Sequence, residues 1–107
     1  MRLKDGVQIA GLRREMQPAI EAAQKAFAAR NVECVITSAL DGKHKSQSLH
    51  YLGLALDFRT RHVSEEARQE IALEIASELG GDFDVVLERT HLHVEYQPKS
   101  EIKVAHA

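Results

Sequence analysis

Cysteine, proline and aromatic residues are scarce in this 107-residue chain, and tryptophan is absent. The single cysteine, Cys34, excludes an internal disulfide framework and a cysteine-rich zinc module. It lies in the apolar run 32–36, where a thiol is expected to serve as a small buried hydrophobe. The only prolines are Pro18 and Pro98, and there is no repeat or low-complexity stretch, so no linker divides the chain. Aromatics make up 5%, too few for a base-stacking platform. Surplus positive charge is missing as well. Fourteen Lys and Arg face sixteen Asp and Glu, a net charge of −2, which argues against a nucleic-acid partner. No run nears the ~20 apolar residues of a membrane span. No apolar stretch follows the charges of residues 1–6, so no secretory signal is expected. That reading places synthesis in a cytoplasm, with delivery elsewhere by other means.

What remains is ordinary for a globular protein: 44% apolar and 28% charged residues. The length fits one domain, with a core over about 12–97 and a tail over 98–107. Apolar residues Ile20, Ala23, Phe27 and Ala28 recur at helical spacing and predict a helix over about 12–30. Pro18 either starts that helix or kinks it. The β-branched run 32–37 reads as a buried strand and 38–48 as a loop with an Asp41-Gly42 turn. Residues 53–60 alternate as a strand. Ser64 is suited to cap a second helix, with Glu65 and Glu66 in its first turn. Ala67, Ile71, Ile75 and Leu79 line one face of that helix, and Gly80-Gly81 ends it. Strands over 83–87 and 91–96 follow as a hairpin. The order gives an α+β fold: a small antiparallel sheet flanked by two main helices.

Strand alternation also sorts the polar residues. Leu92, Val94 and Tyr96 share one face of the last strand, and His91, His93 and Glu95 share the other. Asp57 opposes the buried face of Leu56 and Phe58, on a surface that Gly53 and Ala55 keep open. If these strands are neighbours, His50, Asp57 and one of the two late histidines can meet. Two imidazoles and a carboxylate suit Zn²⁺ and leave its fourth tetrahedral position open, as in catalytic sites. His44, His62 and His106 read as surface residues.

The segment from Ser48 through His50, Gly53 and Ala55 to Asp57 fills every fixed position of the motif Ser-x-His-x-x-Gly-x-Ala-x-Asp. In this it resembles the zinc D-Ala-D-Ala carboxypeptidase and L-alanyl-D-glutamate endopeptidase family. That family includes the vancomycin-resistance D,D-dipeptidases and phage endolysins, and the Hedgehog signalling domain shares its fold. Thr90-His91-Leu92-His93-Val94-Glu95-Tyr96 resembles the family's late His-x-His strand. The resemblance spans about 37–96. It implies a metal groove on one sheet face, with His50, Asp57 and His93 as zinc ligands. It implies that Gly53 permits a close backbone approach and that Ser48 holds the His50 loop.

Two positions depart from the family pattern. The acidic general base, expected three residues before the last ligand, is replaced by Thr90. Glu88, two residues further back, is the candidate base. His91 is the candidate for oxyanion stabilisation or proton transfer. In an alternative register Glu88 would be the base and His91 the metal ligand. An arginine expected before the first motif is also missing. Lys43 or Lys45 can supply a point charge there, and Arg59, in phase with Asp57, can face the groove as a further substrate-binding residue. The implied function is hydrolysis of peptidoglycan stem peptides, at a D-Ala-D-Ala or L-Ala-D-Glu bond, by a phage-type enzyme acting at the bacterial wall. The alternative is a non-catalytic zinc domain used for binding or assembly, with virion proteins as partners.

Overall fold

Pro18 falls in the first turn of helix α1 (Gln17–Ala29), where its missing N–H costs no helical hydrogen bond. This computed structural model describes residues 1–41 and 49–98. The helix therefore starts five residues later than the expected start at residue 12, after a 3₁₀ turn at Arg14–Met16. Its buried stripe is Ala19, Ile20, Ala22, Ala23, Ala26 and Phe27. Ala28, expected on that stripe, faces solvent. The second helix, α2 (Glu65–Leu79), begins at Ser64, whose side chain accepts the Ala67 N–H at 3.2 Å. It ends at Gly80, whose φ of 78° favours glycine.

Five strands form one sheet: β1 (Arg2–Leu3), β2 (Val35–Ser38), β3 (Ala55–Arg59), β4 (Phe83–Leu87) and β5 (His91–Tyr96). Their order is β1-β2-β3-β5-β4. The three pairings among β2, β3, β5 and β4 are antiparallel, as expected, but β1 runs parallel to β2, so the sheet is mixed. The fold is α+β. Its first eleven residues belong to the domain, contrary to a core starting at 12. Val7 and Ile9 pack on the core, and the Arg2 and Lys4 amides donate to the Cys34 and Ile36 carbonyls at 2.9 Å. The short length and mixed charge of this segment hide it from periodicity.

Both helices bury their apolar stripes in one cluster with Ile36, Leu56, Phe58, Leu92 and Val94, the alternate residues of the central strands. Phe27 of α1 meets Phe58 of β3 at 6.4 Å between ring centroids. Cys34 is buried, and burial pushes its thiol up to about 11, which makes it inert as a nucleophile at neutral pH. The helices thus cover one face of the sheet, and the odd-numbered residues of β3 and β5 stand on the other. The expected tail beyond residue 98 lies outside the described residues.

Candidate metal centre

Asp57 lies directly across from His93 in the β3–β5 register, and Arg59 lies across from His91. Pairing thus places four polar side chains on one patch of the sheet. His50 comes from the turn before β3, closed by hydrogen bonds from the Gly53 amide to the His50 carbonyl (3.1 Å) and from the Leu54 amide to the Leu49 carbonyl (3.0 Å). Gly53 has φ +74°, and a Cβ there would collide with the Gly11 carbonyl oxygen. The Arg13 amide donates to the Gly53 carbonyl at 2.9 Å. The turn that delivers His50 is therefore clamped against the N-terminal segment through a position only glycine fits. This gives a structural content to the close approach expected at Gly53.

His50 is 3% exposed and Asp57 9% exposed, so their polar atoms need partners inside the protein. His50 Nδ1 lies 2.8 Å from the Ala39 carbonyl oxygen, an acceptor only. This nitrogen therefore carries a proton, and Nε2 turns to the cluster, 3.4 Å from Asp57 Oδ1. His93 Nδ1 lies 2.8 Å from the same Oδ1, and its Nε2 lies 2.7 Å from Glu95 Oε1. Gln97 Nε2 in turn donates to Glu95 Oε2. One candidate ligand atom from each of His50, Asp57 and His93 falls within 4.8 Å of the others. Each imidazole thus turns one nitrogen to the cluster and anchors the other on an oxygen. This is how metal-ligating histidines are held in one tautomer and orientation. The donor set and its outer partners fit a divalent cation, and the group could hold a metal ion.

Charge is balanced around these atoms. Burial by itself would raise the Asp57 carboxyl, but hydrogen bonds from His50 and His93 outweigh it and hold the group well below the usual carboxylate range. The hydrogen bond to Asp57 pushes His93 up to about 9 against the opposing effect of burial, with Glu95 helping. The folded value lies above the ordinary 6.5, so in the metal-free protein the charged pair stabilises fully below about pH 6.5. That contribution is lost as pH rises through about 9. Chemical denaturation of chelator-treated protein should accordingly show stability declining between these values. A His93→Gln variant should lack the decline.

The other expected residues divide. His91 stands at the rim, its Nε2 3.9 Å from Asp57 Oδ2 and 3.9 Å from Glu88 Oε2. The Thr90 hydroxyl lies 3.2 Å from His91 Nδ1, so Thr90 touches the ring on its far side. Glu88 sits on a turn closed by its own amide and the His91 carbonyl (2.8 Å). Its side chain is 51% exposed and approaches His91. Arg59 shares the face of Asp57 and lines, with Asp57 and His91, a cavity of 310 Å³. Lys43, Lys45, His44 and Ser48 lie outside the described residues. His62, read as a surface residue, hydrogen-bonds the Glu33 carbonyl at 2.7 Å and stacks on Phe27.

Sequence reasoning gave no role to Glu95, although the alternation that put it on the face of His91 and His93 was the available signal. Removing it in Glu95→Ala should weaken metal binding about 10–100-fold while leaving the three ligands in place. A competition titration against a chromogenic chelator measures this. The Ala39 carbonyl, which fixes His50, carries no signal in sequence.

Neither a protein-family profile nor a curated relative matches the chain. Among the described residues, no helix is long and apolar enough to cross a membrane. The fold and the site define an α+β domain with a candidate metal centre on the open face of its sheet.

Proposed function

We propose that the chain is a zinc-dependent peptidase acting on peptidoglycan stem peptides. The observation that carries this reading is the His50–Asp57–His93 group, anchored from behind by the Ala39 carbonyl and Glu95, beside an open polar cavity. Two imidazoles and one carboxylate are a zinc donor set, and three protein ligands are the mark of a catalytic rather than structural zinc. The likeness of 48–57 and 90–96 to the motifs of the D-Ala-D-Ala carboxypeptidase and L-alanyl-D-glutamate endopeptidase family supplies the substrate class.

When bound, zinc supplies Lewis-acid polarisation of the scissile carbonyl and acidification of water. The chain's own groups do the rest. Glu88 Oε2 accepts a proton from the attacking water and returns it to the leaving amine nitrogen as the C–N bond breaks. His91 Nε2, between Glu88 and Asp57, donates a hydrogen bond to the developing oxyanion. Thr90 holds that ring through Nδ1. Glu88→Gln is expected to keep metal and lower hydrolysis at least about 100-fold, the usual range for a proton-transfer group.

The test is a digest of purified muropeptides by the zinc-loaded protein, read by mass spectrometry beside a chelator-treated control. A chelator-sensitive product supports the peptidase, and its mass names the D-Ala-D-Ala or L-Ala-D-Glu bond. The exposure of Glu88 and its approach to His91 rather than to the three ligands favour a second reading, a metal-holding domain for binding or assembly, such as a part of a phage particle. Absence of product from protein that carries zinc selects that reading.

A further inference from the structure

The turn between β4 and β5 carries Glu88, Thr90 and His91 on a very short loop. Hairpin loops of two or three residues favour a positive φ, which matches the turn to the twist of the strands. None of residues 88–91 has one. The turn thus lacks the backbone geometry by which a short hairpin closes itself, and ties from outside gain weight. One hydrogen bond, from the Glu88 amide to the His91 carbonyl (2.8 Å), crosses its base. Two further ties come from the chain that follows β3. The Thr60 amide donates to the Thr90 carbonyl at 3.3 Å. The Arg68 guanidinium donates to the Arg89 carbonyl at 3.5 Å and also to the carbonyls of Val63 (2.8 Å) and Arg61 (3.5 Å). The Thr60 hydroxyl, buried without a hydrogen-bond partner, adds nothing to the tie. Arg68 is the fourth residue of α2, near the positive end of the helix macrodipole, where a cation gains nothing. Its place is explained instead by the carbonyls it reaches. A planar fork of five N–H donors spans acceptors on two segments at once, which a lysine ammonium does not do in fixed geometry.

We propose that Arg68 is a positioning residue, which fixes the 88–91 turn against the end of β3 and so sets Glu88, Thr90 and His91 in place beside the three ligands. Its catalytic consequence rests on the peptidase reading. His91 Nε2 stands 3.9 Å from both the Asp57 and the Glu88 carboxylates, so a shift of the turn moves the base and the oxyanion donor together. A displacement of about 1 Å can cost about 100-fold in rate. The ligands are held by other means. His50 is anchored on the Ala39 carbonyl, and Asp57 and His93 on each other and on Glu95. Arg68 therefore acts on turnover and leaves the metal alone.

The test compares Arg68→Gln and Arg68→Lys with the wild type, all loaded with zinc. The first readout is the set of histidine ring signals in ¹⁵N-labelled protein, which needs no hydrolysis. In Arg68→Gln the His91 ring signals should shift, while those of His50 and His93, and the zinc affinity, stay as in the wild type. The second readout is muropeptide hydrolysis, where kcat should fall about 10–100-fold with KM unchanged. Arg68→Lys keeps the charge and the aliphatic stem, and carries the test should Arg68→Gln fold poorly. It should show the same pattern with a loss in kcat of about threefold, the scale of one weak hydrogen bond. Arg30→Gln is the control. It removes a guanidinium tied to Glu70, Glu74 and the Ala26 carbonyl where the two helices meet. It should lower stability and leave kcat and the His91 ring signals unchanged. Wild-type kcat in both Arg68 variants, His91 ring signals that do not move, or a fall in kcat matched by a fall in zinc affinity would overturn the positioning role. If the wild type cuts nothing, the peptidase reading fails, and the ring signals alone decide whether Arg68 holds the turn.

Discussion

Gly53→Ala is expected to destabilise the protein by about 3 kcal/mol or more. Two costs coincide. The backbone at Gly53 has φ +74°, a region that L side chains rarely occupy, and the added methyl runs into the Gly11 carbonyl oxygen. That obstacle is backbone, held by the Arg13 amide to Gly53 carbonyl hydrogen bond, and cannot swing aside as a flexible side chain would. For a domain of this size the melting temperature should fall by more than about 12 °C. Gly80→Ala is the control. Its φ is also positive, at 78°, but nothing lies within 4 Å of the added Cβ. It should carry only the conformational cost, about 1 kcal/mol. Thermal melts of the two variants separate strain alone from strain plus collision. Because the Gly53 turn delivers His50, metal affinity should fall with stability in the first variant and be unchanged in the second.

His50→Ala is expected to cost more than about 100-fold in metal affinity, since even an outer partner of a ligand contributes that much. The side chain is 3% exposed, so the change also leaves the Ala39 carbonyl without its donor. Metal-free stability should drop by about 1–3 kcal/mol from the unpaired acceptor and the space left behind. Added zinc should raise the melting temperature of the wild type through linkage. It should leave that of His50→Ala unchanged at the same concentration. Hydrolysis of muropeptides, on the proposed function, should vanish with the metal.

The strands that build the site were legible because alternation is a local rule. Leu56 and Phe58 against Asp57, and Leu92 and Val94 against His91 and His93, fix which side chains face the helices and which do not. That β3 and β5 are neighbours is a topological fact, and sequence could state it only as a condition for His50, Asp57 and a late histidine to meet. The register then chose between the histidines. His93 lies opposite Asp57, while His91 is displaced to Arg59 and the rim. Segments with non-local causes were missed. Arg2–Leu3 is a strand only because β2 offers it an edge, and two residues have no period to read. Leu12 and Met16 pack on the core, yet the helix begins only at Gln17, with Pro18 in its first turn. Main-chain partners such as the Ala39 carbonyl are invisible to a reading of side-chain types.

The most direct test of the account is native mass spectrometry of the wild type after equilibration with zinc and removal of the excess. The expected result is one Zn²⁺ per chain, stripped by a chelator and missing from His50→Ala. A wild type that emerges at its metal-free mass, or a His50→Ala variant that retains zinc as tightly, would contradict the metal centre on which the proposed function rests.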